Sequence, residues 1–496
     1  MMAKKILLVY PKYPETFWGF KYAIKFISKK SVYPPLGLLT VAALLPSSWE
    51  KKLVDLNVRT LRDKELKWAD YVFISAMDVQ KKSVKEIIGQ CQKLGTKIVA
   101  GGPLFTSNPD QFPDIDYLVL NEAEITLAPF LKDLQNGTAK HLYFSDTWAN
   151  IEKTPLPLWQ LINFKNYTAM NIQYSRGCPF NCDFCDITIL YGRQVRTKNK
   201  QQILTELNSL YFLGWRGVVF IVDDNFIGNT VKLKTQILPA LINWTKKNKQ
   251  PFTFHTESSI NLADDPELIS LMVQTGFNTV FIGIETVHEE SLAECGKFQN
   301  QNRNLIESIK KIQRLGLQVQ GGFIVGFDHD PQSIFDAQIK FIQKSGIITA
   351  MVGLLNAVRG TRLYQRLEQE KRLIKSFSGN NTDFSLNFIP KMNSKTLLAG
   401  YKKIIKTIYA PKYYYRRVKT FLGEYRPLTK NRGQFKLCYL MALLKSVLRL
   451  GILGKERWYY WGLFFWTLST RPKLFPLAIT FSIHGFHYRK IFEKYL

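Results

Sequence analysis

Three cysteines fall within eight residues, in Tyr174-Ser-Arg-Gly-Cys178-Pro-Phe-Asn-Cys182-Asp-Phe-Cys185-Asp, while Cys91, Cys295 and Cys438 stand singly. Thiolates this close on one loop can all point at one inorganic centre, which is how cysteine-ligated iron–sulfur clusters are held. A structural zinc site wants four ligands, and the nearest histidines in sequence are His141 and His255. Three ligands leave one metal position open for chemistry. A disulfide pairs two cysteines, not three, and no signal-peptide pattern directs the chain to an oxidising compartment. Buried structural cysteines rarely cluster between Gly, Pro and Asn.

The spacing C-x-x-x-C-x-aromatic-C, met here by Cys178, Cys182, Phe184 and Cys185, resembles the signature of the radical S-adenosylmethionine (SAM) superfamily. That resemblance implies a [4Fe–4S] cluster on the three thiolates, with its open iron chelating SAM. One-electron reduction then cleaves SAM to a 5′-deoxyadenosyl radical. Polar residues recur at later strand ends: Asp223-Asp224-Asn225, His255-Thr-Glu257, Gly283-Ile-Glu285 and Gly322-Phe-Ile-Val-Gly326. By the same resemblance Asp223, Asp224 and Asn225 receive the SAM amino group. Glu257 and Glu285 touch its ribose and carboxylate, and Gly322, Ile324 and Gly326 back the adenine. Read alone, each is equally a cap or turn residue. Gly360-Thr361-Arg-Leu363-Tyr364 matches a motif that closes many such barrels, with no role evident from sequence.

These residues need a scaffold, and the strand pattern supplies one. After the Pro-rich linker Thr154–Trp159, the runs Met170–Tyr174, Gly217–Val222, Phe252–Thr256, Thr279–Ile284, Val319–Val325 and Ala350–Leu355 alternate with helix-length segments. Asp265, Pro266 and Gly276 supply the N-cap, first residue and stop of one helix. The pattern predicts a partial, TIM-like (βα)6 barrel whose site gathers at the strands' C-terminal ends.

A similar alternation fills the first third, with strands at Ile6–Tyr10, Lys52–Leu56, Tyr71–Ala76, Lys97–Gly102 and Tyr117–Leu120. It predicts a doubly wound, flavodoxin-like (Rossmann-type) sheet. Ser83 and Glu86 read as a capping box for a helix stopped by Gly95, and Tyr33–Leu45 as a loop entering an apolar helix. No G-x-G-x-x-G follows the first strand, so a dinucleotide is not expected. Ser75, Gly101-Gly102 and Asn121-Glu122-Ala-Glu124 resemble elements of the cobalamin-binding domain that precedes many radical SAM domains. The resemblance assigns Ser75, Gly101, Gly102 and Glu122 to cobalamin. Residues 1–140 hold no histidine, so no imidazole from this domain can ligate cobalt from below. A flavodoxin-like domain without cofactor is the plainer alternative.

The 496 residues, 46% hydrophobic, carry a net charge of +29. Residues 401–496 hold 20 Lys and Arg against 3 Asp and Glu, a net +17. No apolar run reaches the roughly 18 residues of a transmembrane helix. Trp458–Trp466 and Leu474–Phe486 are apolar-aromatic runs with basic flanks, the composition of an element lying in a membrane interface. Helices packed on the barrel, or stacking on single-stranded nucleic acid, are the alternatives. The expected domains are 1–145 (cobalamin-binding-like), 146–375 (radical SAM barrel) and 376–496 (mainly helical, basic and aromatic). The whole resembles cobalamin-binding radical SAM proteins of the hopanoid C-methylase-like group. It implies a C-methyltransferase in which one SAM yields the radical, methylcobalamin supplies the methyl group, and a second SAM restores it. A small hydrophobic substrate and an external electron donor are the expected partners, not nucleic acid. The expected location is cytoplasmic, peripheral on the inner membrane face. Oxidative cyclisation of a tetrapyrrole ester and nucleic-acid modification are the competing functions.

Overall fold

The computed structural model describes residues 3–375, 377–380, 382–427 and 437–495. The expected boundary at residue 376 lies outside them.

Runs of β-branched and aliphatic residues buried on both faces build the first sheet, as parallel sheets covered by helices require. Its strands are β1 (Lys5–Tyr10), β2 (Glu50–Asp55), β3 (Tyr71–Ser75), β4 (Lys97–Gly101), β5 (Tyr117–Val119) and β6 (Leu142–Tyr143), all parallel in the order β2-β1-β3-β4-β5-β6. This is the expected doubly wound topology, with a sixth strand added at the edge.

One detail differs. The helix stopped by Gly95 begins at Lys81, and the turn before it is capped by Gln80, whose side-chain oxygen accepts from the Met77 amide at 3.0 Å. Ser83 is inside the helix, buried, and its hydroxyl accepts from the Lys12 amide at 3.0 Å. A long-range partner has taken the oxygen that a local cap would use.

The second sheet contains β7 (Ala169–Ile172), β10 (Gly217–Ile221), β11 (Phe252–Ser258), β12 (Phe277–Glu285), β13 (Gln318–Val325) and β14 (Ala350–Leu354), parallel and sequential in space. Between β7 and β10, a short antiparallel ladder of β8 (Ser175–Arg176) and β9 (Arg196–Thr197) closes the base of the cysteine loop. The six strands curl into a half-barrel. Along β11, Phe252, Phe254, Thr256 and Ser258 are buried under helices, while Thr253, His255 and Glu257 alternate onto the inner face. Asp265 caps the following helix, Pro266–Thr275, through the Leu268 amide, and Gly276 ends it, as expected.

A half-barrel has open edges, which need cover. The helix Ser394–Tyr409 lies along β14, where the Tyr401 and Tyr409 hydroxyls donate to the Val352 and Ala350 carbonyls at 3.0 and 2.7 Å. Further helices run Pro411–Glu424, Leu437–Ser446 (continued by a π turn, Val447–Ile452), Arg457–Thr470 and Phe475–Phe492. The run 474–486, expected at a membrane interface, is largely core: in the last helix Phe481, Ser482, Ile483, His487 and Tyr488 are buried. The Tyr488 ring stacks on Phe17 at 4.4 Å, and His487 bridges the Phe17 carbonyl and the Tyr22 amide. An apolar helix reads alike in a core or in a bilayer surface, and here the loop after β1 is what it covers. No helix among the described residues is long and apolar enough to cross a membrane.

Gly400 marks a close helix crossing, since a Cβ there would stand 2.3 Å from the Phe335 ring. Overpacking of this kind typically costs about 1–3 kcal/mol, against a gain of up to about 1 kcal/mol in helix propensity. Gly400→Ala is therefore expected to lower the denaturant midpoint, and an unchanged midpoint would show that the crossing is loose.

Candidate functional site

The carboxyl ends of the two parallel sheets face each other across a cavity of about 810 Å3. Tyr10, Ser75, Gly102 and Asn121 line it from the first sheet, and Gln173, Phe220 and Asp224 from the half-barrel. Ligands bind outside strand carboxyl ends in both architectures, so here two such sites share one chamber.

Arg176, in β8, ties the halves together. Its guanidinium donates to Glu122 at 2.7 Å and to Glu124 at 2.8 and 3.2 Å, beside the first sheet. Glu122 also accepts from Arg196 at 2.8 Å and from the Ala149 amide at 2.6 Å. Glu122 thus borders the cavity with its carboxylate fully engaged. Although Glu124 is buried, Arg176 holds its pKa below the usual value.

Gly177, immediately after Arg176, adopts φ +91°, and a Cβ there would meet the Gln194 carbonyl at 2.7 Å. The chain then enters the cysteine loop, which other loops clasp through its backbone. The Cys178 amide donates to Gly192, the Asp183 amide to Cys295 at 2.9 Å, and the Leu363 amide to Asp183 at 2.9 Å. Arg362 pairs with Asp183 at 2.5 Å and also reaches the Asn181 carbonyl. Gly360–Tyr364, without a role in the sequence reading, thereby docks this loop.

Cys178, Cys182 and Cys185 are free, partly exposed thiols. Burial raises the pKa of each, and charge on Cys182 raises Cys178 and Cys185 further. Among the described residues no group of three or more His, Cys, Asp or Glu side chains, these three cysteines included, is gathered closely enough to hold a metal ion. The donor set suits an iron–sulfur cluster, whose ligands are thiolates. Lys297 supplies a cation beside them. Burial lowers its pKa, but Glu285, paired at 2.8 Å, and Cys182 outweigh that and raise it.

The predicted SAM residues separate by environment. Asp223 is buried and engaged, accepting from the Tyr174 amide (2.8 Å) and the Ser175 amide and hydroxyl (2.8 and 2.6 Å). Asn225 accepts from Ser259 at 3.3 Å. Asp224 differs: its Oδ2 is buried without a hydrogen-bond partner, and burial with the nearby Asp223 raises its pKa to about 7. An orphaned carboxylate oxygen beside the cavity fits a cationic ligand group. Glu257, on the inner face of the half-barrel, is pushed to about 8 by burial and then by Asp224 and Asp223.

Glu285 is tied to Lys297. Gly322 lies under Phe281, whose ring would be 2.8 Å from a Cβ, and Gly326 donates its amide to Asp330 at 2.8 Å. Ile324 packs in a cluster with Phe184 and Phe327. On the opposite side, Gly102 (φ +89°) would place a Cβ 2.6 Å from Ser75 Oγ, and Gly101 one 2.5 Å from the Val119 carbonyl. Neighbouring protein atoms thus account for both glycines, and of the two it is Gly102, beside Ser75, that lines the cavity.

Sequence reasoning missed Arg176, Lys297, Tyr33 and Trp18. The Tyr33 hydroxyl bonds His255 Nε2 at 2.8 Å, and Trp18 meets Phe281 at 5.5 Å, so the segment after β1 reaches into the half-barrel. Burial lowers the His255 pKa to about 3, and its ring stacks on Phe220 at 4.5 Å. Only the charges beside Gly177 and Gly296 offered a signal for Arg176 and Lys297.

Comparison with known proteins is decisive. Residues 25–131 match the B12 binding domain, 172–342 the radical SAM superfamily and 361–496 a domain of unknown function (DUF4070). An uncharacterized methyltransferase of Synechocystis sp. is 40% identical over 99% of this chain and 93% of its own length. The chain belongs to the cobalamin-dependent radical SAM methyltransferases. Another relative of this radical SAM protein, the hopanoid C-2 methylase of Rhodopseudomonas palustris, is 31% identical over 92% of the chain and 88% of its own. The fold resembles that of the cobalamin-dependent SAM radical enzyme OxsB, with TM-score 0.62 and 15% identity over 99% of this chain and 80% of that one.

The raised carboxyl pKa values make a pH signature. Glu257 in the folded protein (about 8) keeps a proton that the unfolded chain loses near 4.5. Its stabilisation is complete below that unfolded value and is lost as pH rises through the folded one. Cofactor-free Glu257→Gln should match wild type at pH 4 and exceed it at pH 8.5 by more than about 1 kcal/mol. Parallel denaturation curves at both pH values would refute the buried carboxyl.

Proposed function

We propose that this radical SAM enzyme methylates an unactivated carbon of a small hydrophobic, isoprenoid-like substrate. The observation that carries this reading is the shared cavity, with Ser75 and Gly102 on one wall and the orphaned Asp224 oxygen on the other. When bound, the cluster supplies the electron that cleaves SAM, and cobalamin the methyl group that is transferred.

Cys178, Cys182 and Cys185 hold the cluster. Asp224 would hold the SAM ammonium, whose charge would favour loss of the proton kept at its raised pKa. Asp223 and Asn225 act behind it, fixing the strand end that leads to the cysteines. Glu257 and Glu285, the latter steadied by Lys297, face the rest of SAM, with Gly322, Ile324 and Gly326 against the adenine. Ser75, Gly101 and Gly102 receive the corrinoid, while Glu122 holds the halves at the right separation. Trp18 and Tyr33 exclude water from the half-barrel, which protects a radical from side reactions.

The hydrophobic substrate is supported by the likeness to the hopanoid C-2 methylase and by Phe17, Trp18, Leu36 and Met351 on the cavity wall. Such a molecule resides in a membrane, which supports a location in the cytoplasm at the membrane's inner face; the reductant in this reading is an external donor.

Anaerobic reconstitution with iron, sulfide and cobalamin tests this, using SAM with a deuterated methyl group and bacterial isoprenoid lipids. Wild type should form 5′-deoxyadenosine and a lipid gaining the labelled methyl. Cys178→Ala/Cys182→Ala/Cys185→Ala should form neither. Undiminished SAM cleavage in the triple variant, or cleavage without label transfer, would overturn the reading.

A further inference from the structure

The helices at 437–452 and 457–470 are apolar on both sides. Inward, Ala442, Ser446, Leu450, Tyr460, Leu463 and Thr467 are buried. Outward stand Leu444, Leu448, Leu453, Trp458 and Phe465, at 56%, 52%, 72%, 76% and 62% exposure. Monomeric soluble proteins seldom leave a contiguous surface of this kind uncovered.

The charges around it identify what covers it. Arg449, Lys455, Arg457 and Lys473 are exposed, and none forms an ion pair among the described residues. The three acids of this region are engaged elsewhere: Glu424 with Lys310, Glu456 with Arg489 and Glu493 with Lys490. Large aliphatic and aromatic side chains amid unpaired cations match the boundary of an anionic bilayer, where Trp sits at headgroup depth and Lys and Arg meet lipid phosphates. A second copy of the same face would bring like charges together. Stacking on nucleic acid would not require exposed leucines.

The surface also lies close to the cavity. Helix Leu437–Ser446 rests on the 3-10 turn Ile24–Ile27, where Lys445 Nζ donates to the Lys25 carbonyl and the Ser28 hydroxyl at 3.3 and 3.2 Å. Ile24, in that turn, lines the cavity.

We propose that the outer face of residues 439–468 is a membrane-docking surface that seats the enzyme on an anionic bilayer, with the Ile24–Ile27 wall of the cavity beside the lipid. Delivery of substrate along that wall rests on the hydrophobic-substrate reading; the docking itself does not. Apolar insertion supplies the grip and the cations supply the preference for anionic lipid.

The test is flotation of the full-length protein with phosphatidylcholine vesicles and with phosphatidylcholine–phosphatidylglycerol vesicles. Wild type should bind the anionic vesicles at least about tenfold more tightly, and salt should weaken the binding. Leu444→Ser/Leu453→Ser/Trp458→Ser/Phe465→Ser should lose binding to both. Arg449→Gln/Lys455→Gln/Arg457→Gln/Lys473→Gln should lose the preference for anionic lipid. Both variants should keep the wild-type circular dichroism and cleave SAM at the wild-type rate, which separates failure of docking from failure of the chemistry. The proposal falls if wild type ignores anionic vesicles or if the serine variant floats as wild type does. It also falls if the serine substitutions turn a dimer into monomer without changing flotation, since the face would then join two copies of the chain.

Discussion

Arg176 holds the two sheets face to face. Its fork donates to Glu122 and Glu124 across the boundary between them, within a largely buried cluster that Arg196 completes. Bidentate guanidinium–carboxylate pairs fix direction as well as distance. Removing one partner of such a pair leaves a buried charge, at a typical cost of about 3–5 kcal/mol. Because Gly177 and Cys178 follow Arg176 directly, the contact that sets the separation of the sheets also anchors the root of the cysteine loop. A shift of one sheet against the other would move the thiols relative to Ser75 and Gly102 on the opposite wall.

The remaining elements protect that arrangement. The half-barrel leaves its β14 edge open, and tyrosine hydroxyls from Ser394–Tyr409 occupy the carbonyls there. The last helix clamps the loop after β1 through Tyr488 and His487, and that loop places Trp18 in the half-barrel. The C-terminal region therefore shapes the cavity from a distance, and its outward face is left for a partner.

The strands were legible because each is a short run rich in β-branched, aliphatic and aromatic residues. Asp265 and Gly276 showed their helix because a cap and a stop act within one turn. Ser83 misled because its partner is 71 positions away. Which acid of Asp223-Asp224 keeps an unpartnered oxygen was not legible either. Adjacent carboxylates read alike until Tyr174 and Ser175 occupy one of them. Glu122 reads as a ligand residue in sequence, whereas in the fold two arginines and an amide engage it. The apolar runs at 458–466 and 474–486 looked equivalent, but only the first has residues such as Trp458 and Phe465 facing outward.

The central claim is that one cavity seats a corrinoid against Ser75 and Gly102 and SAM on the half-barrel opposite. Equilibrium cobalamin binding to Gly102→Val, in protein already loaded with iron and sulfide, tests it most directly. The added side chain would displace Ser75 and strain a left-handed backbone position on the cavity wall. The expected result is at least about a tenfold loss of cobalamin affinity, with iron content and SAM cleavage at wild-type levels. Wild-type cobalamin affinity in that variant would contradict the account.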